Sequence, residues 1–193
     1  MMWKDKVTGL ILAGGEGRRM EGKDKGWVEL QGLPLVKRAI ERVQPQVNQL
    51  LISANRNIET YQQRGHTVVK DETPFLGPLA GILAGLQHIE TEYALVVPTD
   101  APLIPDNLVA LLSEHLPKPL VLCRDQDRLQ PLFGLYHHSL APSIQTFLGN
   151  GERKLMKWCE QHEPAIVTIR DKTAFTNLNT PHDLKEFEKK IPN

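Results

Sequence analysis

Several features are missing from this sequence, and each absence removes a class of function. Formal charge sums to zero over 193 residues, 23 acidic against 23 basic, so no global field draws nucleic acid to the chain. The N-terminal stretch MMWKDKVTGLILAGG holds an apolar run too short for a signal-peptide core or a membrane span. Cysteine is scarce. Cys123 and Cys159 stand far apart and form no CxxC pair, so a reducing cytoplasm is expected, with both thiols serving as small core hydrophobes. The seven histidines show no HxxxH spacing, and neither a zinc site nor a Ser-His-Asp arrangement can be assembled from what is there. What remains has ordinary globular composition, 40% hydrophobic and 24% charged, and a length that suits one domain spanning 1–193.

Short β-rich runs alternate with amphipathic stretches, which is the pattern of an α/β fold. Strands are expected at 7–13 (VTGLILA), 49–55 (QLLISAN), 66–71 (HTVVKD), 93–97, 119–125 (PLVLCRD), 131–137 (PLFGLYH) and 164–169 (PAIVTI). Helices are expected at 33–43, with Pro34 at the first helical position, at 77–89 (GPLAGILAGLQHI), at 105–116 and at 180–191. His137 and His138, adjacent at a strand end, are expected on opposite sides of it. Such alternation implies a mostly parallel sheet with helices on both faces, and ligands in these sheets sit at the carboxyl ends of the strands.

The first strand runs directly into LAGGEGRRMEGKDK, residues 12–25, where Gly14, Gly15, Gly17 and Gly22 are interleaved with Arg18, Arg19, Lys23 and Lys25. Glycines let backbone N–H groups approach an anion, and the four cations suffice to neutralise a triphosphate. The competing reading is a tight turn with a solvated basic face. Two familiar phosphate loops are excluded. From Gly17 the chain nearly spells a P-loop, but Asp24 stands where Ser or Thr should hold magnesium. From Gly15 it nearly spells a dinucleotide fingerprint, but Met20 replaces the third glycine.

Two other strands end in acids, Asp71 and Asp100. A strand-end carboxylate such as Asp100 suits Mg²⁺ carried by a nucleotide, because that ion takes few protein oxygens and keeps phosphate and water as its other ligands. Its alternative is a turn or helix-capping aspartate. Asp71 can bind a ribose or base, or cap a turn. Gly77 and Pro78 open a helix whose N–H groups can meet an anion, while Gly81 and Gly85 are read as close packing of that helix on the sheet. Arg153 and Lys154, in GNGERKL, either meet a second phosphate or lie in a solvated loop. In NLNTPHDL a capping box runs from Thr180 to Asp183, leaving Asn177 and Asn179 to hydrogen-bond a polar ligand.

LILAGGEGRRMEGKDKGWVELQGLPL resembles the signature of nucleotidyltransferases, LAGG-x-x-x-RM, then DKG, then L-x-G-x-PL. Together with DETPFLGPLAGILAGL, VPTDAP and NLNTP in this order, nearly the whole chain resembles the molybdenum cofactor guanylyltransferases. The resemblance implies a three-layer α/β/α sandwich with a mostly parallel sheet, Rossmann-like and of the nucleotide-diphospho-sugar transferase type. It implies GTP and molybdopterin as substrates, Mg²⁺ as cofactor, and a molybdenum-inserting enzyme and molybdoenzyme chaperones as partners. Carried over by position, nucleotide contacts fall on Leu12, Ala13, Gly14, Lys25, Asp71 and Asp100, with Asp100 holding the metal. Arg19, Gly15, Gly22 and Gly77 match further signature positions. Ser53 stands where some members carry an Asn that contacts the nucleotide, and PTD replaces the family's common PCD. Arg19, Lys25 and Asp100 are the expected catalytic set. A cytidylyltransferase using CTP and a non-catalytic GTP-binding carrier of the cofactor are the competing functions.

Overall fold

The computed structural model describes residues 3–14, 24–72 and 76–190. In chain order the strands are β1 (Val7–Leu12), β2 (Glu29–Leu30), β3 (Leu33–Pro34), β4 (Gln49–Ser53), β5 (Thr67–Val69), β6 (Tyr93–Pro98), β7 (Leu120–Arg124), β8 (Leu129–His137) and β9 (Ala165–Thr168). The helices are α1 (Leu35–Val43), α2 (Ile58–Gln63), α3 (Pro78–His88), α4 (Leu108–Ser113), α5 (Ala141–Gly149), α6 (Leu155–Glu160) and α7 (Pro181–Glu188).

Seven strands form one sheet in the order β5-β4-β1-β6-β8-β7-β9, and β8 runs antiparallel to both its neighbours while the other pairings are parallel. The alternation of side chains along each strand divides the core in two. Val7 and Ile11 pack with α1, α2 and α4, whereas Leu10 packs with α3, α5 and α6. The expected three-layer α/β/α sandwich with a mostly parallel sheet is therefore observed. Chain order steps outward from β1 to β4 and β5, then returns to β6 on the other side of β1. That reversal opens a crevice at the carboxyl ends of β1 and β6, the place where open α/β sheets bind ligands.

Two glycines of α3 explain how the helix approaches so closely. A Cβ on Gly81 would lie 2.6 Å from Ser53 Oγ, and one on Gly85 would overlap Leu10. The packing role expected for both is thus met. On the other side of the sheet, β8 carries an irregularity. Leu122 pairs with Gly134, but Cys123 pairs with Gln130, so Pro131–Phe133 bulge out of the ladder. The Tyr136 hydroxyl donates to Pro131 O at 2.5 Å and ties the bulge down.

Some expectations are corrected. Pro34 precedes α1, because it belongs to a small hairpin in which it pairs with Glu29. Gln31 and Gly32, both at positive φ, make the two-residue turn of that hairpin. Its Leu30, with Leu35 of α1, joins Leu178 and Phe187 in a third small core under α7. His137 and His138 do not face opposite ways. The strand ends at His137 and a 3-10 turn begins, bringing the two rings to a centroid distance of 4.3 Å. Helices α2, α5 and α6 were not expected. Cys123 and Cys159 are buried and unpaired, and burial pushes both thiols up to about 12.

Candidate functional site

The site grows from the ends of three neighbouring parallel strands. Leu12 is in register with Ser53 of β4 and with Pro98 of β6. The ladder continues past the strands, since Ala13 N donates to Ser53 O at 2.8 Å and Thr99 N donates to Leu12 O at 3.1 Å. The segment after β1 is thereby held between Asn55 on one side and Asp100 on the other. A cavity of about 340 Å³ opens here, lined by Leu12, Ala13, Gly14, Lys25, Gly77, Pro78, Pro98, Thr99, Asp100 and Leu132. The bulge in β8 supplies Leu132.

Lys25 ties the far elements together. Its Nζ donates to Asp100 Oδ2 at 2.8 Å and to Asn179 Oδ1 at 2.6 Å. The Asp100 side chain is 11% exposed and that of Lys25 22%, so the pair is shielded enough for its attraction to count. The loop carrying Asn179 is fixed twice. Leu178 N donates to the Asp100 carbonyl at 2.9 Å. Asp183 Oδ2 accepts from the backbone of Asn179 and Thr180, while Thr180 Oγ1 accepts from Asp183 N, completing the expected capping box.

The turn that presents Lys25 is built by its neighbours. Asp24 Oδ1 accepts from Gly26 N at 3.0 Å, capping a 3-10 turn over Lys25–Trp27. The same carboxylate accepts from Asn57 Nδ2 at 2.9 Å and from the Tyr61 hydroxyl at 3.3 Å. Burial first, and then this carboxylate, raise the Tyr61 phenol far above its ordinary range. Gly26 is required because a Cβ there would collide with the Tyr61 hydroxyl. Asp24, which ruled out a P-loop in the sequence, thus has a structural task with Gly26, Asn57 and Tyr61 as its partners.

On the other side of Gly14, Asn55 Nδ2 donates to Asp71 Oδ2 at 2.8 Å, and Asp71 N donates back to Asn55 Oδ1 at 3.2 Å. A Cβ on Gly14 would come within 3.4 Å of Asn55 Nδ2, so Asn55 covers that glycine. Asp71 Oδ1 is buried with no hydrogen-bond partner among the described residues, and so is Asn177 Oδ1. Burial outweighs the Asn55 hydrogen bond and raises the Asp71 carboxyl. A carboxyl raised in the folded state supports folding at low pH, and that support is lost as pH rises through its folded-state value. Asp71→Asn is therefore expected to raise the melting temperature at pH 7 and to leave it unchanged near pH 3. Equal melting shifts at both pH values would contradict this.

Ser53 is buried, and its hydroxyl lies under Gly81 of α3. It is Asn55, two residues on, that reaches the rim. The expected strand 49–55 hid this, because β4 ends at Ser53 and releases Asn55 to turn toward Asp71. Gly77, at φ +83°, precedes Pro78 and aims the first turn of α3 at the cavity. Arg153 borders Gly77 only through its backbone carbonyl, which would lie 3.9 Å from a Cβ built there. Its guanidinium donates to the carbonyls of Leu148 and Glu152 at the end of α5, on a separate groove of about 320 Å³ between α3 and α5. Lys154 is exposed and immediately precedes α6. Gly15, Arg19 and Gly22 fall outside the described residues.

As a donor set for Mg²⁺, the described part of the cavity offers one hard carboxylate, Asp100. Among the described residues no cluster of three His, Cys, Asp or Glu could hold a metal by protein ligands alone. One carboxylate fits an ion that arrives on a triphosphate and keeps its waters. Among the described residues, no helix is long and apolar enough to cross a membrane.

Comparison with known proteins bears on this geometry. A family described as the MobA-like NTP transferase domain matches residues 9–165. A molybdenum cofactor guanylyltransferase of Shewanella halifaxensis (strain HAW-EB4) is 42% identical, covering 97% of this chain and 96% of the relative. Another from Shewanella sp. (strain ANA-3) is 44% identical, covering 96% and 97%. Among solved structures, the molybdopterin-guanine dinucleotide biosynthesis protein A of Archaeoglobus fulgidus superposes with a TM-score of 0.77 at 25% identity, covering 94% of this chain and 97% of that one.

Proposed function

This chain belongs to the MobA-like NTP transferase family, among the molybdenum cofactor guanylyltransferases, and from that membership we propose that it transfers GMP from GTP to molybdopterin, forming the guanine dinucleotide and releasing pyrophosphate. Residues 1–193 act as one nucleotidyltransferase domain. The observation that carries the reading at residue level is the bridge from Lys25 to Asp100 and Asn179 at the mouth of a cavity bordered by Gly14 and Gly77.

In the proposed reaction an oxygen of the acceptor's terminal phosphate attacks the α-phosphorus of GTP in line. A new P–O bond forms, the bond from the α-phosphorus to the bridging oxygen breaks, and pyrophosphate leaves. The nucleophile is already anionic, so no general base is needed, and positioning with charge neutralisation supplies the catalysis. The backbone of Leu12–Gly14 lies against the nucleotide. Asp71, held by Asn55, offers its free oxygen to the base or ribose. Lys25, with Arg19 six residues earlier in the sequence, offsets charge on the departing pyrophosphate. Asp100 holds Mg²⁺, which when bound neutralises phosphate charge. The first turn of α3 at Gly77 and Pro78, together with Asn177 and Asn179, contacts the acceptor. Arg153 and Lys154 lie on the acceptor's outer side.

The reading assigns the protein to the cytoplasm, where free thiols such as Cys123 and Cys159 persist, and gives it the molybdenum-inserting enzyme and molybdoenzyme chaperones as partners. Mixing the protein with Mg²⁺, molybdopterin and either GTP or CTP tests it. Pyrophosphate release with GTP and not with CTP is expected. Preference for CTP would overturn the guanylyl product, and silence with both, alongside a melting shift on GTP, would favour a carrier.

A further inference from the structure

The bridge at Lys25 has a consequence for how a cation reaches Asp100. The oxygen Asp100 Oδ2 already holds an ammonium at 2.8 Å. A divalent ion on the same carboxylate would sit beside that ammonium in a shielded site, where repulsion between like charges is strong. Lys25 is also held by Asn179 Oδ1 at 2.6 Å, and the Asn179 backbone N–H is held by Asp183, so two acceptors oppose its release. A second anion would compensate for their loss. The nucleotide triphosphate is such an anion, and Lys25 lines the cavity proposed to hold it.

We propose that Lys25 is a latch on the metal carboxylate: it closes Asp100 to divalent cations in the nucleotide-free protein and opens it when a triphosphate takes over the ammonium. Cation and nucleotide then bind with positive coupling, and the coupling is reciprocal. The latch also keeps Asp100 paired while the site is empty, since a shielded carboxylate without a partner is costly. This rests on the assignment of Asp100 as the metal ligand. Asn179 enters as a positioning residue, acting through Lys25.

The test uses Mn²⁺ as probe, with free and bound ion distinguished by electron paramagnetic resonance on the full chain without nucleotide. Wild type is expected to bind Mn²⁺ weakly. Lys25→Gln is expected to tighten binding by about tenfold or more, and the gain is expected to vanish in Lys25→Gln/Asp100→Asn. Asn179→Ala, which leaves both charges in place, is expected to give a smaller gain in the same direction. Unchanged Mn²⁺ affinity in both Lys25→Gln and Asn179→Ala would overturn the latch. So would a gain that persists without Asp100, because general charge removal would then explain it. The guanylyl-transfer reading fails separately, through absent pyrophosphate release by wild type, and the Mn²⁺ cycle stays readable in that event.

Discussion

Asp100→Ala is expected to lower the rate of Mg²⁺-dependent pyrophosphate release by about 100-fold or more, the usual cost of losing one electrostatic stabiliser at a reacting centre. Two features make the variant informative. The Asp100 carbonyl, which accepts from Leu178 N, is retained, so the loop bearing Asn179 keeps its anchor. Among the described residues the lost carboxylate is the one acid lining the cavity, so no other described lining residue can take over the ion. A loss of about 100-fold corresponds to about 2.7 kcal/mol of transition-state stabilisation. Far-ultraviolet circular dichroism should match wild type, because the deleted group belongs to none of the three apolar cores, while the melting temperature should fall modestly, because Lys25 loses its shielded partner. Turnover within a few fold of wild type at saturating Mg²⁺ would remove Asp100 from the metal role and return it to a capping or turn aspartate.

How much of this was legible in the chain depends on range. The strands that matter could be read because each is a short apolar run ending in a distinctive residue: Gly14 after β1, Asp71 beyond β5 and Asp100 after β6. Parallel pairing then forces those ends to one rim. The capping box before α7 was equally local. By contrast, the Lys25–Asn179 contact joins residues 154 apart, and no periodicity encodes it. Asn55 was missed because a strand pattern gives no sign of where pairing stops, and a two-residue difference in the end of β4 exchanges Ser53 for Asn55 at the rim. The role of Asp24 was half visible. Its chemistry excluded a P-loop, but its partners Asn57 and Tyr61 come from α2 and the residue preceding it, a helix too short and polar to announce itself. The β8 bulge that delivers Leu132 follows from a register shift that sequence alternation alone conceals.

Lys25→Met should be the second severe lesion, with kcat reduced by about 100-fold and the KM for GTP raised less. Methionine keeps a flexible apolar stem that fills the same space, so the change isolates the ammonium. The expected split follows from where charge develops. On the proposed reading, ground-state binding of the triphosphate is shared between Lys25 and the backbone N–H groups of Leu12–Gly14. As the bond to the bridging oxygen breaks, negative charge builds on the departing pyrophosphate, and a group whose hold strengthens at that stage is seen mainly in kcat. The 3-10 turn beneath Lys25 is capped by Asp24 and accommodated by Gly26, neither of which the substitution touches, so the fold of the turn should persist. Measuring pyrophosphate release against GTP concentration at fixed Mg²⁺ and molybdopterin separates the two parameters. If only KM rose and kcat stayed near wild type, Lys25 would be a ground-state phosphate ligand alone. If neither changed, its bond to Asp100 would be an internal ion pair with no part in the reaction. A large fall in kcat that Asn179→Ala reproduces in part would tie the lysine's placement, as well as its charge, to turnover.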